Sequence, residues 1–451
     1  DVLGVSIGLG TGNTATTLSW NQAGHTLSVL SGTSPIYAFT LMGTYAQTDF
    51  TLVAGPNGSV VGTTNTSNHA VTQSMGTAGQ TILSVPTGAP VTTAANAATV
   101  VNLGMAYSSV TSQGRDTINA GAGQTSVVAS GPATTLAGGA GRLVFQGGTG
   151  SAVVSTGSGG GTITTGTSSS QVFLGSSTDV VTTRGQDFVV ASTGTDTVYA
   201  GSAVVAFGGT AGSLVVESGS VASTVVGGGG AATVYGSTGA GGVVYAGTGV
   251  TEYVGGPGAS TFVGSTGTAL VYGGAGGGAI YAGSGGGQYF GASASTVIEV
   301  GGSSTVTASD GNAVFVVGSG SNLLVAGAGN VTLAGGTSSG SNSYFAGFGA
   351  DQVAGGSGND AFVAGTGQAT LSGGGGANLF SFVAGGAGGA DVITDFHRGV
   401  DHLSLRGYAA GAAGAALSRA GVSGGATTLT LGDGTRVTLL GVTGLGAADF
   451  V

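Results

Sequence analysis

Short apolar segments recur about every nine residues, between glycine-rich turns, in the middle of this chain. The last strand residue before each turn steps along the sequence by ten once and then by nine five times. These residues are Tyr235, Tyr245, Val254, Val263, Tyr272, Tyr281 and Phe290. A fixed short period is typical of a solenoid, in which each repeat buries its apolar face only against neighbouring repeats. The sequence therefore predicts an all-β fold built around a parallel β-roll or β-helix solenoid.

The composition of the 451-residue chain agrees with an ordered β-protein. It contains 99 glycines and only 6 prolines, whereas collagen needs glycine at every third position and far more proline. Hydrophobic residues make up 41% and charged residues 5%, which is the reverse of a disordered chain. Glycine suits sharp half-turns because it reaches positive φ without a steric penalty.

Charge is sparse and acidic, which limits the partners that we expect. The chain has 17 Asp and Glu residues against 7 basic residues, all of them Arg. Proteins that bind nucleic acid need clustered cations, so no nucleic-acid partner is predicted. No run of about 18 apolar residues occurs, so no membrane span is predicted. Cysteine is absent, and no disulfide can hold the fold together.

No motif indicates catalysis, and we expect no enzymatic activity. The sequence lacks His-Glu-x-x-His, and without lysine it cannot form a phosphate-binding P-loop. Two Gly-x-Ser-x-Gly matches, at Ser338 and Ser423, are expected by chance in a chain so rich in glycine and serine.

Three zones are distinguishable along the chain. Residues 1–112 carry longer alternating strands with irregular spacing, which predicts a separate β-sandwich-like domain or an irregular cap. Residues 113–390 carry the nonapeptide pattern, and near its end the steps pair into sums of 18 to 20, as expected if two half-turns form one coil. Residues 391–451 hold four of the seven arginines and are predicted to form a C-terminal β cap.

Alternation along each strand predicts which side chains face the core. If Val234, Val244, Phe262, Val271 and Ile280 point inward, the residues that follow them point outward. With two half-turns per coil, one outer face carries Tyr235, Val254, Tyr272 and Phe290, and the other carries Tyr245, Val263 and Tyr281.

Exposed apolar rows of this kind usually mark a contact surface. We therefore predict a self-assembly surface formed by Tyr235, Tyr245, Tyr272, Tyr281 and Phe290. Carbohydrate stacking on the rings is one alternative. Another is the ordinary preference of tyrosine for strands.

Two regions resemble a known family. Residues 355–363 read Gly-Gly-Ser-Gly-Asn-Asp-Ala-Phe-Val, which fits Gly-Gly-x-Gly-x-Asp-x-apolar-x in full. Residues 391–405, 427–435 and 441–450 resemble the closing segment and secretion-competent tail of the same family. The chain is thus similar to RTX proteins, which type I secretion exports from bacteria and whose nonapeptides form a β-roll with Ca²⁺ in the turns. The resemblance implies an extracellular or cell-surface location.

Most repeats depart from the calcium-binding pattern. Ala232, Ser260, Gly278 and Asn378 stand where the family places its liganding aspartate. Because hard cations need several oxygen ligands, we expect Ca²⁺ at only a few sites near the C-terminal end. Its predicted ligands are Asp351, Asp360, Asn378, Asp391, Asp395 and Asp401. Asp360 should meet Asn378 one coil later. The alternative is that these aspartates only stabilise tight turns.

These observations favour an extracellular structural protein that assembles with copies of itself into a surface layer, a filament or a biofilm matrix fibre. An adhesin or glycan-binding stalk, with residues 1–112 as its binding head, is the first alternative. The second is the non-catalytic part of a larger type I secreted enzyme.

Overall fold

Strands that lie 17 to 20 residues apart in the sequence pair in parallel over most of the chain. Ser108 pairs with Thr125, 17 residues later, and Leu323 pairs with Ser343, 20 residues later. The computed structural model describes residues 3–6, 17–31, 33–41, 50–55, 58–63, 71–72, 81–85, 90–95, 97–293, 296–336, 338–386 and 389–451. The predicted β-solenoid is confirmed, and the chain makes about 16 solenoid turns.

The chain divides into a first unit, Asp1–Leu214, and a second unit, Val215–Val451. The strands up to this division are β1 (Leu3–Ser6), β2 (Thr17–Asn21), β3 (Thr26–Ser31), β4 (Ser34–Leu41), β5 (Phe50–Gly55), β6 (Gly58–Thr63), β7 (Val71–Thr72), β8 (Thr81–Val85), β9 (Val91–Thr92), β10 (Thr99–Leu103), β11 (Ser108–Ser112), β12 (Arg115–Asn119), β13 (Thr125–Ala129), β14 (Ala133–Ala137), β15 (Leu143–Gly147), β16 (Ser151–Ser155), β17 (Gly161–Thr164), β18 (Gln171–Phe173), β19 (Asp179–Thr183), β20 (Asp187–Val190), β21 (Thr195–Ala200), β22 (Val204–Phe207) and β23 (Ser213–Ser218), which contains the division.

The strands after the division are β24 (Thr224–Val226), β25 (Ala231–Tyr235), β26 (Val243–Tyr245), β27 (Thr251–Val254), β28 (Ser260–Val263), β29 (Ala269–Tyr272), β30 (Gly278–Tyr281), β31 (Gly287–Phe290), β32 (Thr296–Val300), β33 (Ser304–Thr307), β34 (Ala313–Val317), β35 (Leu323–Val325), β36 (Val331–Ala334), β37 (Ser343–Phe345), β38 (Ala350–Ala354), β39 (Ala361–Val363), β40 (Gln368–Ser372), β41 (Leu379–Val383), β42 (Ala390–Ile393), β43 (His402–Arg406), β44 (Gly421–Ser423), β45 (Ala426–Thr430) and β46 (Arg436–Leu439). The helix α1 spans Ala412–Ser418, and a short 3-10 helix spans Ala447–Asp449.

Within each unit the solenoid strands form two parallel sheets. The even-numbered strands pair with one another in what we call the even sheet, and the odd-numbered strands pair in the odd sheet. One even strand, one odd strand and the two turns between them make one coil. This agrees with the predicted two half-turns per coil. Parallel stacking satisfies the backbone hydrogen bonds of each coil on its neighbours.

The core of the second unit consists of side chains stacked coil upon coil. The predicted inward residues are buried: Val234, Val244, Phe262, Val271 and Ile280. Farther along the odd sheet, the rings of Tyr344, Phe362 and Phe380 stack with centroids 5.1 and 4.8 Å apart. Burying each large apolar side chain contributes about 1.5–3 kcal/mol, and this core is the main source of stability.

Both ends of the winding differ from the expected boundaries at residues 113 and 390. At the N-terminal end, β8 already pairs in parallel with β10, and β9 with β11. At the C-terminal end, β42 and β43 still pair in parallel with β40 and β41. The nonapeptide pattern does not mark these coils because their turns lack the regular glycine spacing.

The strands before β8 form two antiparallel sheets in the first unit. One has the order β1-β6-β5, and the other has the order β2-β3-β4-β7. This agrees with a β-rich N-terminal zone. The predicted β-sandwich arrangement stays a prediction.

The C-terminal segment covers the last coil of the second unit. Strand β46 lies parallel to β42, and β45 and β44 continue the sheet in antiparallel order. On the odd sheet, Phe450 forms a bridge with Leu403, and the backbone N–H of Val451 donates to the carbonyl of Leu403. These pairings occupy sheet edges that would otherwise recruit another chain.

Close backbone approach fixes glycine at several turns. A Cβ at Gly241 would lie 1.3 Å from the carbonyl oxygen of Ala259 in the next coil. We expect Gly241→Ala to lower the free energy of unfolding of the second unit by at least about 1–3 kcal/mol, because neighbouring coils would be forced apart.

Calorimetry of the full chain measures this effect. Gly414→Ala is the matched control, because Gly414 lies in α1 with no atom within 4 Å of an added Cβ. It is expected to be neutral or to stabilise by up to about 1 kcal/mol. Equal unfolding profiles for the two variants would contradict the argument.

Candidate functional site

Two outward-facing rows of apolar side chains run along the second unit. On the odd sheet, the register places Tyr235 beside Val254, Val254 beside Tyr272 and Tyr272 beside Phe290. We call these four residues the odd stripe. Their positions match the sequence prediction residue by residue, because a two-residue alternation and a constant coil length leave no freedom in the register.

The even sheet carries the second row. Tyr245 lies beside Val263 and Val263 beside Tyr281, and we call these three residues the even stripe. The four tyrosines of the two stripes are exposed, at 39–44%. Phe290 is half-buried. The stripes thus present large apolar side chains to solvent at successive coils.

The surroundings of the stripes carry almost no charge. Between Glu217 and Glu299 the sequence contains a single charged residue, Glu252, which faces outward on β27 next to the odd stripe. The even stripe ends at Glu299, which pairs with Tyr281. A surface that approaches either stripe therefore meets little electrostatic repulsion.

The rings of the odd stripe stack on one another. Tyr272 and Phe290 have centroids 5.0 Å apart and planes inclined by only 7°. The spacing of coils fixes this geometry, since neighbouring strands lie about 4.8 Å apart. Each ring covers a face of its neighbour, so the pair shows its edges to solvent. This geometry disfavours sugar stacking on the ring faces.

The odd row continues beyond the residues that the sequence singled out. Thr307, Val325, Phe345 and Val363 occupy the same register position in the following coils. Phe345 is 38% exposed. The nonapeptide count misses this continuation because the coil from Leu323 to Ser343 is two residues longer than the usual 18.

A buried ladder of asparagine and aspartate side chains lies at the start of successive odd strands. The ladder residues, each in the next coil, are Asn322, Asn342, Asp360, Asn378 and Asp401. We call this set the Asx ladder. In each step the side-chain Oδ1 accepts a hydrogen bond from the backbone N–H of the preceding member, at 2.7–3.0 Å. The ladder therefore ties the turns of adjacent coils together.

Three of the predicted calcium ligands belong to this ladder. Asp360 and Asn378 meet as expected, through a hydrogen bond from the Asp360 N–H to Asn378 Oδ1. Asp360 Oδ2 accepts the N–H of Gly356, four residues earlier in its own turn. Asp401 Oδ2 likewise accepts the N–H of His397. These carboxylates cap their own turns and the coil before.

The other three predicted ligands lie on the even sheet or in its turns. Asp351 accepts the N–H groups of Val331 and Gly347, and Asp391 accepts the N–H of Ala369. Asp395 accepts hydrogen bonds from the turn of residues 372–374. Burial raises the pKa of Asp391 to about 6, and it also raises the pKa values of Asp351 and Asp360.

This donor set does not match the several converging oxygen ligands that Ca²⁺ takes. Of the carboxylate oxygens in the predicted set, only Asp391 Oδ2 is buried without a hydrogen-bond partner. Among the described residues, no three His, Cys, Asp or Glu side chains lie together as a metal site. Calcium binding stays a prediction, and we derive nothing from it.

A further pair of buried carboxylates lies in the first unit. Asp179 and Asp196 occupy the same register position in β19 and β21, and both are fully buried. Neither oxygen of Asp196 has a hydrogen-bond partner, and Asp179 Oδ1 also lacks one. Burial, with a further contribution from the Asp179 charge, raises the pKa of Asp196 to about 7, although the N–H groups of Asp179 and Ser192 oppose the shift.

No helix in the described part of the chain is long and apolar enough to cross a membrane. No protein-family model and no curated protein matches the sequence.

Proposed function

We propose that this chain is an extracellular structural protein that assembles with copies of itself into a surface layer, a filament or a matrix fibre. The observation that carries the proposal is the pair of exposed stripes on opposite sheets of the second unit, centred on Tyr235, Tyr272, Tyr245 and Tyr281. Large exposed apolar rows in an otherwise uncharged surface favour association.

The geometry of the stripes supports assembly rather than a single closed contact. A copy that binds through its odd stripe still presents its even stripe, so each added copy leaves a free site for the next. Repeated contacts of this heterologous kind build an open polymer when the rotation between copies does not close.

The C-terminal end of the second unit supports side-to-side contacts over end-to-end stacking. Pairing with β46 and the bridge to Phe450 occupy edge positions there. Edges that are already paired do not recruit another strand. The stripes are therefore the contact surface that we propose for assembly.

The extracellular location and export by type I secretion are part of the same proposal. They are supported by the resemblance of residues 391–405 and 427–450 to the closing and tail segments of RTX proteins. A structural role is also consistent with a surface of sparse charge.

Placing charge on the odd stripe tests the proposal. We expect the double variant Tyr235→Glu, Tyr272→Glu to raise the concentration needed for polymer formation by at least about tenfold, because two carboxylates would have to lose water in the contact. Negative-stain electron microscopy and sedimentation measure the polymers. The same substitutions at Tyr245 and Tyr281 test the even stripe.

The matched control adds the same charge away from both stripes. Thr248 and Thr266 are exposed turn residues, and Thr248→Glu with Thr266→Glu should leave assembly unchanged. Unaltered protein that stays as monodisperse single molecules at all concentrations would overturn the proposal. So would equal polymer formation by the stripe and control variants.

A further inference from the structure

A polar groove runs along the odd sheet of the second unit, where the turns meet the strands. It has a volume of about 650 Å³ and is open to solvent. Its lining comes from six successive coils, from Val250 before β27 to Ser343 in β37. At about 4.8 Å per coil, these six coils extend over about 24 Å. We call this feature the hydroxyl groove.

Two parallel rows of side chains form the groove. The residues of the strand row are Leu270, Gln288, Thr305, Leu323 and Ser343, which are neighbours in register. The residues of the turn row are Val250, Thr268, Ser303, Ser321 and Ser341. Each coil thus contributes a similar small set of hydroxyl, amide or aliphatic groups.

The polar groups of the groove are available to a ligand. Within the described residues, the side chains of Gln288, Thr305, Ser321, Ser341 and Ser343 make no hydrogen bond to protein, and they are exposed or half-buried. Hydroxyl and amide groups both donate and accept, as the hydroxyls of a sugar do. The aliphatic side chains of Leu270 and Leu323 can contact the apolar faces of sugar rings.

The groove contains no charged residue and no aromatic residue. Protein–protein contact sites usually depend on buried tryptophan, tyrosine or arginine, and this lining has none. An uncharged lining in a chain of formal net charge −10 also disfavours anionic polymers. The chemistry that remains is a neutral, hydroxyl-rich ligand.

We infer that the hydroxyl groove binds a linear neutral polysaccharide that lies along the stacked coils, one sugar per coil. The coil spacing of about 4.8 Å is close to the length of one pyranose unit in an extended chain. A polymer in that orientation meets an equivalent set of partners at every sugar. Each contact is weak, and affinity grows with the number of coils engaged.

This site is separate in position from the stripes. The strand row of the groove lies two residues before the odd stripe on the same strands, as Gln288 does before Phe290. A bound glycan could therefore lie beside an assembly contact, and the two functions can be tested apart.

The test measures binding of cellohexaose and mannohexaose to the full chain by isothermal titration calorimetry, below the concentration at which the protein polymerises. Both sugars are extended, neutral and long enough for one unit per coil. We expect at least one to bind at least about tenfold more tightly than its disaccharide, because only the longer chain engages all six coils.

The variant Gln288→Leu, Thr305→Val removes two neighbouring polar groups from the groove without changing its charge. We expect it to weaken hexasaccharide binding by at least about tenfold. The matched control is Thr332→Val, Gln352→Leu, because these residues are also neighbours in register and face outward, but on the even sheet. Circular dichroism checks that both variants fold.

The inference is overturned if neither hexasaccharide binds at about 1 mM, if the disaccharides bind equally well, or if the groove and control variants bind alike. Preferred binding of an anionic polymer, tested with polygalacturonate, also overturns it. Polymer formation by the groove variant is recorded separately, so failure here is distinguishable from failure of the assembly proposal.

Discussion

Replacing Asn342 by alanine is expected to lower the free energy of unfolding of the second unit by about 3–5 kcal/mol. Asn342 Oδ1 accepts hydrogen bonds from the backbone and side-chain N–H groups of Asn322, at 3.0 and 3.1 Å. Its Nδ2 donates to Asp360 Oδ1 and to the carbonyl of Gly340. The substitution leaves these groups buried without partners, and each such loss costs about 1–3 kcal/mol.

Calorimetry of the full chain, with hydrogen exchange of the segments around residues 322–362, measures the loss and locates it. Asn330→Ala is the matched control. Asn330 Oδ1 also accepts a backbone N–H from the next coil, that of Ala350, but its side chain is exposed. Water can replace that bond, and we expect a change below about 1 kcal/mol. Similar losses in both variants would show that burial of the ladder is not the cause.

The first unit is expected to lose stability as the pH rises from about 4 to 7. The pKa of Asp196 is raised from 3.8 to about 7, so the folded state holds a proton that the unfolded state releases. The stabilising effect is complete below pH 3.8 and disappears as the pH rises through about 7. The slope is about 1.4 kcal/mol per pH unit while this one proton differs between the two states.

Asp196→Asn should remove this part of the pH dependence. We expect the variant to be more stable than the unaltered chain at pH 8, because it no longer places a second charge beside Asp179 in the buried register. Hydrogen exchange of residues 179–200, corrected for the intrinsic effect of pH on exchange, measures the change. A steeper or unchanged profile in the variant would refute the assignment.

Asp116→Asn provides the contrast. The carboxylate of Asp116 accepts hydrogen bonds from the N–H groups of Thr99 and Gly114 and from the hydroxyls of Thr93 and Ser112. An amide in its place would turn an NH₂ group toward some of these donors. We therefore expect Asp116→Asn to destabilise the first unit, whereas Asp196→Asn stabilises it.

Stripe positions were predictable because two periodicities act together. Alternation along a strand assigns Val234 to the core and Tyr235 to the surface, and the constant coil length then stacks Tyr235, Val254 and Tyr272. Both rules are local to the repeat and need no knowledge of distant contacts.

The Asx ladder was only partly predictable. Asp360 and Asn378 stood out because they occupy the aspartate position of a recognisable repeat. Asn322 and Asn342 belong to turns without that pattern, and their spacing varies from 18 to 20 residues. In sequence they look like ordinary turn residues. Their roles become visible only when the coils are superposed along the odd sheet.

The amino-acid sequence by itself determined the solenoid, the residues of its core and the rows of tyrosine on its outside, because each follows from a short period repeated with glycine at the turns. Tertiary stacking decided where the winding begins and ends, which polar groups are buried against each other, and the existence of the hydroxyl groove. Those features depend on residues about 18 positions apart being brought to within one strand spacing, and a side chain's neighbour in the next coil is fixed by register and insertions rather than by its own local sequence.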